Sequence, residues 1–124
     1  MYNQFNINIY SEDAKFCSSL AIECSKYGFD LTFIDSSNLD DDSMYDSTFI
    51  SVIIVDLSAP GDVDPFKLGK NARIKTGFPV FGVLDRFNRK YQKKAREYGF
   101  DLVFTKKMLL RSIKEVVIHI DSDD

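Results

Sequence analysis

The 124-residue chain is predicted to fold as an α/β domain whose parallel sheet carries helices on both faces. Three observations carry that prediction. Short apolar runs alternate along the chain with segments of helical period, the order expected of βα units. No hairpin turn signal joins one apolar run to the next, so successive strands are linked by crossovers and lie parallel. Val52-Ile53-Ile54-Val55, an unbroken β-branched apolar run, fits a central strand buried on both faces.

Each element follows from local chemistry. Residues 5–10, FNINIY, alternate apolar and polar side chains and give the first strand. Cys17, Leu20, Ala21 and Cys24 then recur at i, i+3, i+4 and i+7, a helix that Ser11 or Asp13 can cap and Gly28 stops. LTFI, residues 31–34, is a second strand. SSNLDDDSMYDS, residues 36–47, is acidic and unpatterned, expected as a loop with at most a short helix. The third strand spans 50–55 and runs into the turn residues SAPGDVDP. FKLGKNARIK, residues 66–75, is a weak helix that Gly69 interrupts and Gly77 ends. FPVFGVL, residues 78–84, is a fourth strand, and NRKYQKKAREYG, residues 88–99, a strongly basic helix closed by Gly99. DLVFT, residues 101–105, is the last strand, and Leu109, Leu110, Ile113, Val116, Val117 and Ile120 mark a C-terminal helix from Met108 on. Residues 1–121 are expected as one domain and 122–124 as an acidic tail.

Composition narrows the function classes. At 44% hydrophobic and 28% charged residues, the chain has the balance of a globular domain rather than a disordered one. No apolar run approaches the roughly 20 residues of a bilayer span, and MYNQFNINIY lacks the pattern of a signal peptide, so a cytoplasmic location with no membrane partner is expected. Cys17 and Cys24, two turns apart on one helix, are separated by about 10 Å, too far for a disulfide, and read as core thiols. Charge is divided unevenly: residues 1–62 hold 11 acids and 2 bases, residues 63–124 hold 8 acids and 14 bases. Such a split marks either two functional surfaces or simply a dipolar molecule.

In parallel sheets, ligands gather at the carboxyl ends of the strands. That rule singles out Glu12 and Asp13 after the first strand, Asp56 at the end of the third and Lys106 after the last. Taken singly, Asp56 could be a strand-end carboxylate paired to Lys106, and Glu12 and Asp13 ordinary acids at a helix N-terminus. Their expected convergence on one rim raises them to a candidate site. His119, in an apolar helix, is expected to be structural or peripheral.

This arrangement resembles the receiver domain of bacterial response regulators over essentially the whole chain. VIIVDLSAPG resembles the family's phospho-acceptor strand and Pro-Gly loop with Asp56 at the acceptor position, and INIYSEDA its first strand and acidic cluster. FPVFGVLD resembles the fourth strand with Pro79-Val80, and GFDLVFTKK the fifth strand with the site lysine at Lys106. The resemblance implies a flavodoxin-like (βα)5 sheet of order 2-1-3-4-5. It also implies phosphoryl transfer to Asp56, with Mg²⁺ held among Glu12, Asp13 and Asp56 and Lys106 as the fixed charge on the phosphoryl oxygens. The departures are specific. Ser11-Glu12 stands where two aspartates are usual, Leu84 replaces the hydroxyl residue ending the fourth strand, Val103 replaces the aromatic switch residue, and Lys107 replaces a proline. Leu84 cannot donate the hydrogen bond that holds a phosphoryl oxygen, a loss on the order of 1–3 kcal/mol.

Arg89, Lys90, Lys93 and Lys94 on the basic helix, with Arg111 and Lys114 on the next, form the expected partner-binding set. In receiver domains these last elements are where partners dock. The implied partner is an acidic protein, whether histidine kinase, phosphotransfer protein or output protein. No nucleic acid is expected: net charge is −3 and no helix-turn-helix or other recognition element occurs. A solvated basic helix is the alternative. Turnover catalysis is poorly supported. Haloacid-dehalogenase-type phosphatases need a second acid at the position of Ser58, a flavodoxin phosphate loop would be repelled by Glu12-Asp13, and no G-x-x-x-x-G-K-[ST] string occurs. Two functions remain: a receiver phosphorylated on Asp56 in a Mg²⁺-dependent step, or an atypical receiver-like module acting mainly by docking.

Overall fold

The computed structural model describes residues 5–34, 50–58 and 63–122. The loop expected at 36–47, the Pro60-Gly61 turn and the His119 side chain lie outside the described residues. In chain order the elements are β1 (Phe5–Tyr10), α1 (Ala14–Tyr27), β2 (Asp30–Phe33), β3 (Ile50–Asp56), α2 (Pro65–Thr76), β4 (Val80–Leu84), α3 (Arg89–Glu97), β5 (Leu102–Thr105) and α4 (Lys106–Ser122). The sheet order is β2-β1-β3-β4-β5, and every pair is parallel. The expected fold and strand order are both present. α4 runs through Ser122, one residue into the stretch expected as tail.

Two cores form because strand side chains alternate between faces. Ile7, Ile9, Val52, Ile54 and Val83 pack with Phe16, Leu20 and Cys24 of α1 and Leu109, Ile113 and Val117 of α4. Ile53, Val55, Val80 and Leu84 pack with Phe66, Leu68 and Ala72 of α2 and Ala95 of α3. Thus α1 and α4 cover one face, and α2 and α3 the other. The helices start where carboxylates or amides accept free N–H groups: Asp13 Oδ1 from Phe16, Asp64 Oδ1 from Phe66 and Asn88 Oδ1 from Tyr91. Cys17 and Cys24 are free thiols, and burial pushes Cys24 up to about 11, which suits an unreactive core position.

Gly69 does not interrupt α2. The expectation weighed only its helix propensity, whereas its role is contact: a Cβ there would stand 2.2 Å from Cζ of Phe100. Among the described residues no helix is long and apolar enough to cross a membrane.

Candidate functional site

Register brings the site together. Tyr10 pairs with Val55, Asp56 with Val83 and Leu84 with Thr105, so four strands end at one rim and hand the chain to Ser11, Leu57, Asp85 and Lys106. Asp56, on the central strand, is 1% exposed there. Both of its oxygens are engaged. Oδ1 accepts from the Ser58 N–H at 2.9 Å, and Oδ2 accepts from Ser11 Oγ at 2.6 Å and from Lys106 Nζ at 3.0 Å.

Lys106 is the hub. As the first residue of α4 it reaches back over the rim, 11% exposed, to Asp56, to Asp13 Oδ2 at 3.0 Å and to Asp85 Oδ1 at 2.6 Å. Its ammonium also stands 5.5 Å from the centre of the Phe16 ring. Burial pulls the lysine pKa down, but hydrogen bonds to Asp85, Asp13 and Asp56 outweigh it and hold the group above the ordinary lysine value. Asp13 is held below the ordinary carboxylate range, first by the Phe16 N–H and then by Lys106. Ser11 Oγ, besides donating to Asp56, accepts from the Asp13 N–H at 3.1 Å, and Ser58 Oγ accepts from the Asp85 N–H at 3.2 Å. These bonds tie the loops after β1, β3 and β4 to one another. A cleft of about 330 Å³ opens beside the hub between α1 and α4, lined in part by Lys15, Phe16, Lys107 and Leu110.

Three of the four rim residues expected from sequence therefore meet: Asp13, Asp56 and Lys106. Glu12 does not join them. Ser11 and Asp13 both turn toward Asp56 and Lys106, and period-two alternation leaves the intervening Glu12 exposed. The three-carboxylate metal set is not assembled, and among the described residues no group of three or more His, Cys, Asp or Glu is arranged to hold a metal ion. Two carboxylates remain at the rim, Asp13 and Asp56, each 3.0 Å from Lys106 Nζ, and one or two carboxylates with waters is the donor set Mg²⁺ ordinarily takes. Two members were not anticipated. Asp85 is signalled by its place just after β4, and Ser11 by its place just after β1.

No protein-family model matches the chain, and no curated protein does. Solved structures do. A two-component response regulator from Clostridium difficile superposes with a TM-score of 0.76 at 18% identity, covering 96% of this chain and 100% of the other. A response regulator receiver domain protein from Methanospirillum hungatei gives 0.73 at 16%, covering 98% and 99%. The Mn(2+)-bound form of response regulator Rcp1 gives 0.68 at 12%, covering 90% of each. The chain has the receiver-domain fold.

On that fold two of the four departures, Leu84 and Val103, have a structural counterpart. Leu84 and Val103 both lie on the α2–α3 side of the sheet, Leu84 fully buried and Val103 packed against the same core. Neither offers a hydroxyl to the rim. The expected partner-binding residues divide between the two layers. Lys94 lies over the Phe66 ring of α2 at 4.4 Å, whereas Lys114 lies over the Tyr27 ring of α1 at 5.6 Å. Arg89, Lys90, Lys93 and Lys94 stand on α3, Arg111 and Lys114 on α4 across the sheet. The two sets thus stand on opposite sides of the sheet, and both helices flank the edge strand β5.

Proposed function

We propose that this chain is a receiver-like signalling domain of a two-component or phosphorelay pathway that acts mainly through protein docking. The observation that carries the reading is the aliphatic pair Leu84 and Val103, packed into the core where receiver domains carry a hydroxyl and an aromatic side chain. A phosphoryl group on Asp56 would find no hydroxyl at position 84 to hold it and no ring at position 103 to reposition. Asp56 is moreover enclosed, with both oxygens hydrogen-bonded, so an incoming phosphodonor must first displace Ser11 or Lys106. An acidic protein partner matches the basic surface.

A second reading, an ordinary receiver phosphorylated on Asp56, is favoured by the convergence of Asp13, Asp56 and Lys106. In that reading Asp13 and Asp56 would hold Mg²⁺, whose chemistry is to neutralise charge on the phosphoryl oxygens. Lys106 would turn from the carboxylate to those oxygens as a compact point charge. Intact mass spectrometry after incubation with acetyl phosphate and Mg²⁺ separates the two. The docking reading predicts no stoichiometric adduct under conditions that label an ordinary receiver. A full phosphate adduct that disappears in Asp56→Asn would establish the second reading instead.

A further inference from the structure

Outside the rim site, positive charge is concentrated along α2 and α3. Residues 65–98 hold ten lysines and arginines against two acids, in a chain of net charge −3. On α2, Lys67, Lys70 and Ile74 recur at i, i+3 and i+7 along the exposed stripe, with Ile74 73% exposed. On α3, Lys90 and Lys94 stand one turn apart beside Tyr91, which is 42% exposed. The helices meet through Phe66, which packs against Tyr91 and Tyr98, with ring centroids 5.8 Å apart in each pair. Arg73 has a carboxylate partner, Asp101, at 3.4 Å; among the described residues Lys67, Lys70, Lys90 and Lys94 have none. Lys94 instead lies 4.4 Å over Phe66, and Lys70 lies 5.8 Å over Tyr98.

We propose that this α2–α3 face binds an acidic protein segment whose carboxylates are interspersed with apolar side chains. The proposal rests on the docking reading and gives it a place and a partner chemistry. Two observations select such a segment over nucleic acid. Ile74, the most exposed apolar residue of the face, offers nothing to a phosphate and no ring to a base. The rings of Phe66 and Tyr98 already carry lysine ammonium groups on faces a stacked base would need. Carboxylates brought to Lys70, Lys90 and Lys94 meet ammonium groups that have no carboxylate partner among the described residues, while Ile74 and Tyr91 give apolar side chains cover.

The test uses the full chain and a fluorescent synthetic peptide of alternating acidic and Leu or Phe residues. A polyglutamate peptide and a single-stranded oligothymidylate of equal charge serve as comparators. Anisotropy should show the mixed peptide binding about tenfold tighter than either comparator, and more weakly as salt rises. Lys70→Glu with Lys90→Glu, both at exposed positions and checked for folding by circular dichroism, should lose about tenfold in affinity, whereas Arg111→Glu with Lys114→Glu should bind as wild type. If the α4 pair loses binding and the α2–α3 pair does not, docking stands and this placement falls. Tighter binding of oligothymidylate overturns the partner chemistry, and failure of all three probes to bind overturns the proposal together with the docking reading.

Discussion

Replacing Lys106 with methionine is expected to lower the unfolding free energy by about 3 kcal/mol at neutral pH, because it strands the buried Asp56 carboxylate. Most of the loss comes from Asp56, which is enclosed. Asp13 and Asp85 are 37% and 65% exposed in their side chains, where solvent screening leaves an ion pair about 0–1 kcal/mol. The double variant with Asp56→Leu should recover much of the loss, since removing both charges leaves none unpaired. The effect depends on pH with a definite sign. The lysine pKa is raised above its ordinary 10.5, so its contribution is complete below that value and fades as pH rises through the folded one. The Asp13 pKa is lowered from 3.8, so its contribution is complete above that value and fades as pH falls through the folded one. The gap between the urea midpoints of wild type and variant should therefore be widest between about pH 5 and 10. It should narrow on the acid side only by the small share Asp13 carries, and shrink on the alkaline side as pH rises through the folded lysine value. A loss under about 1 kcal/mol at pH 7 would mean that Asp56 is screened as a surface carboxylate is.

Gly69→Ala is the second large effect, and its direction runs against helix propensity. In an exposed helix the change stabilises by about 1 kcal/mol. Here the new methyl would meet Cζ of Phe100 at 2.2 Å and Cε1 at 2.5 Å. The ring has little room to withdraw, because it is buried against Phe66 and its Cδ2 stands 3.2 Å from where a Cβ of Gly82 would be. Overpacking of this kind costs about 1–3 kcal/mol, so a net loss of roughly 1–2 kcal/mol is expected in urea denaturation. Phe100→Leu in the Gly69→Ala background should relieve part of it. A stabilised Gly69→Ala protein would show that the ring moves aside freely.

These two residues show what was legible in the sequence and what was not. The run Val52–Val55 announces a buried central strand, and the strand-end rule then places Asp56 and Lys106 on one rim, as the structure has them. Those signals are local, and the topology only has to join them. Gly69 reads locally as a helix breaker, but its reason lies 31 positions along the chain at Phe100. Asn8 misleads in the same way: alternation in FNINIY suggests a polar face, yet Asn8 is fully buried with its Oδ1 accepting from Asn6. At the site, Ser11 counts in sequence as a lost acid, whereas in three dimensions it is a donor to Asp56. Glu12 and Asp13 are chemically interchangeable on the page, and only the start of α1 decides between them by placing Asp13 at the N-cap. The division of the basic residues between α3 and α4 depends on which helix lies on which side of the sheet.

A change at Asp56 is not expected to be carried to the α3 side of the domain. Beryllofluoride with Mg²⁺, a mimic of a phosphoryl group on a carboxylate, tests it directly when titrated into ¹⁵N-labelled protein and followed by amide chemical shifts. Shifts should be confined to the rim around Ser11, Asp13, Asp56, Ser58, Asp85 and Lys106. Shifts reaching Val103 and running along Arg89–Glu97 would contradict it.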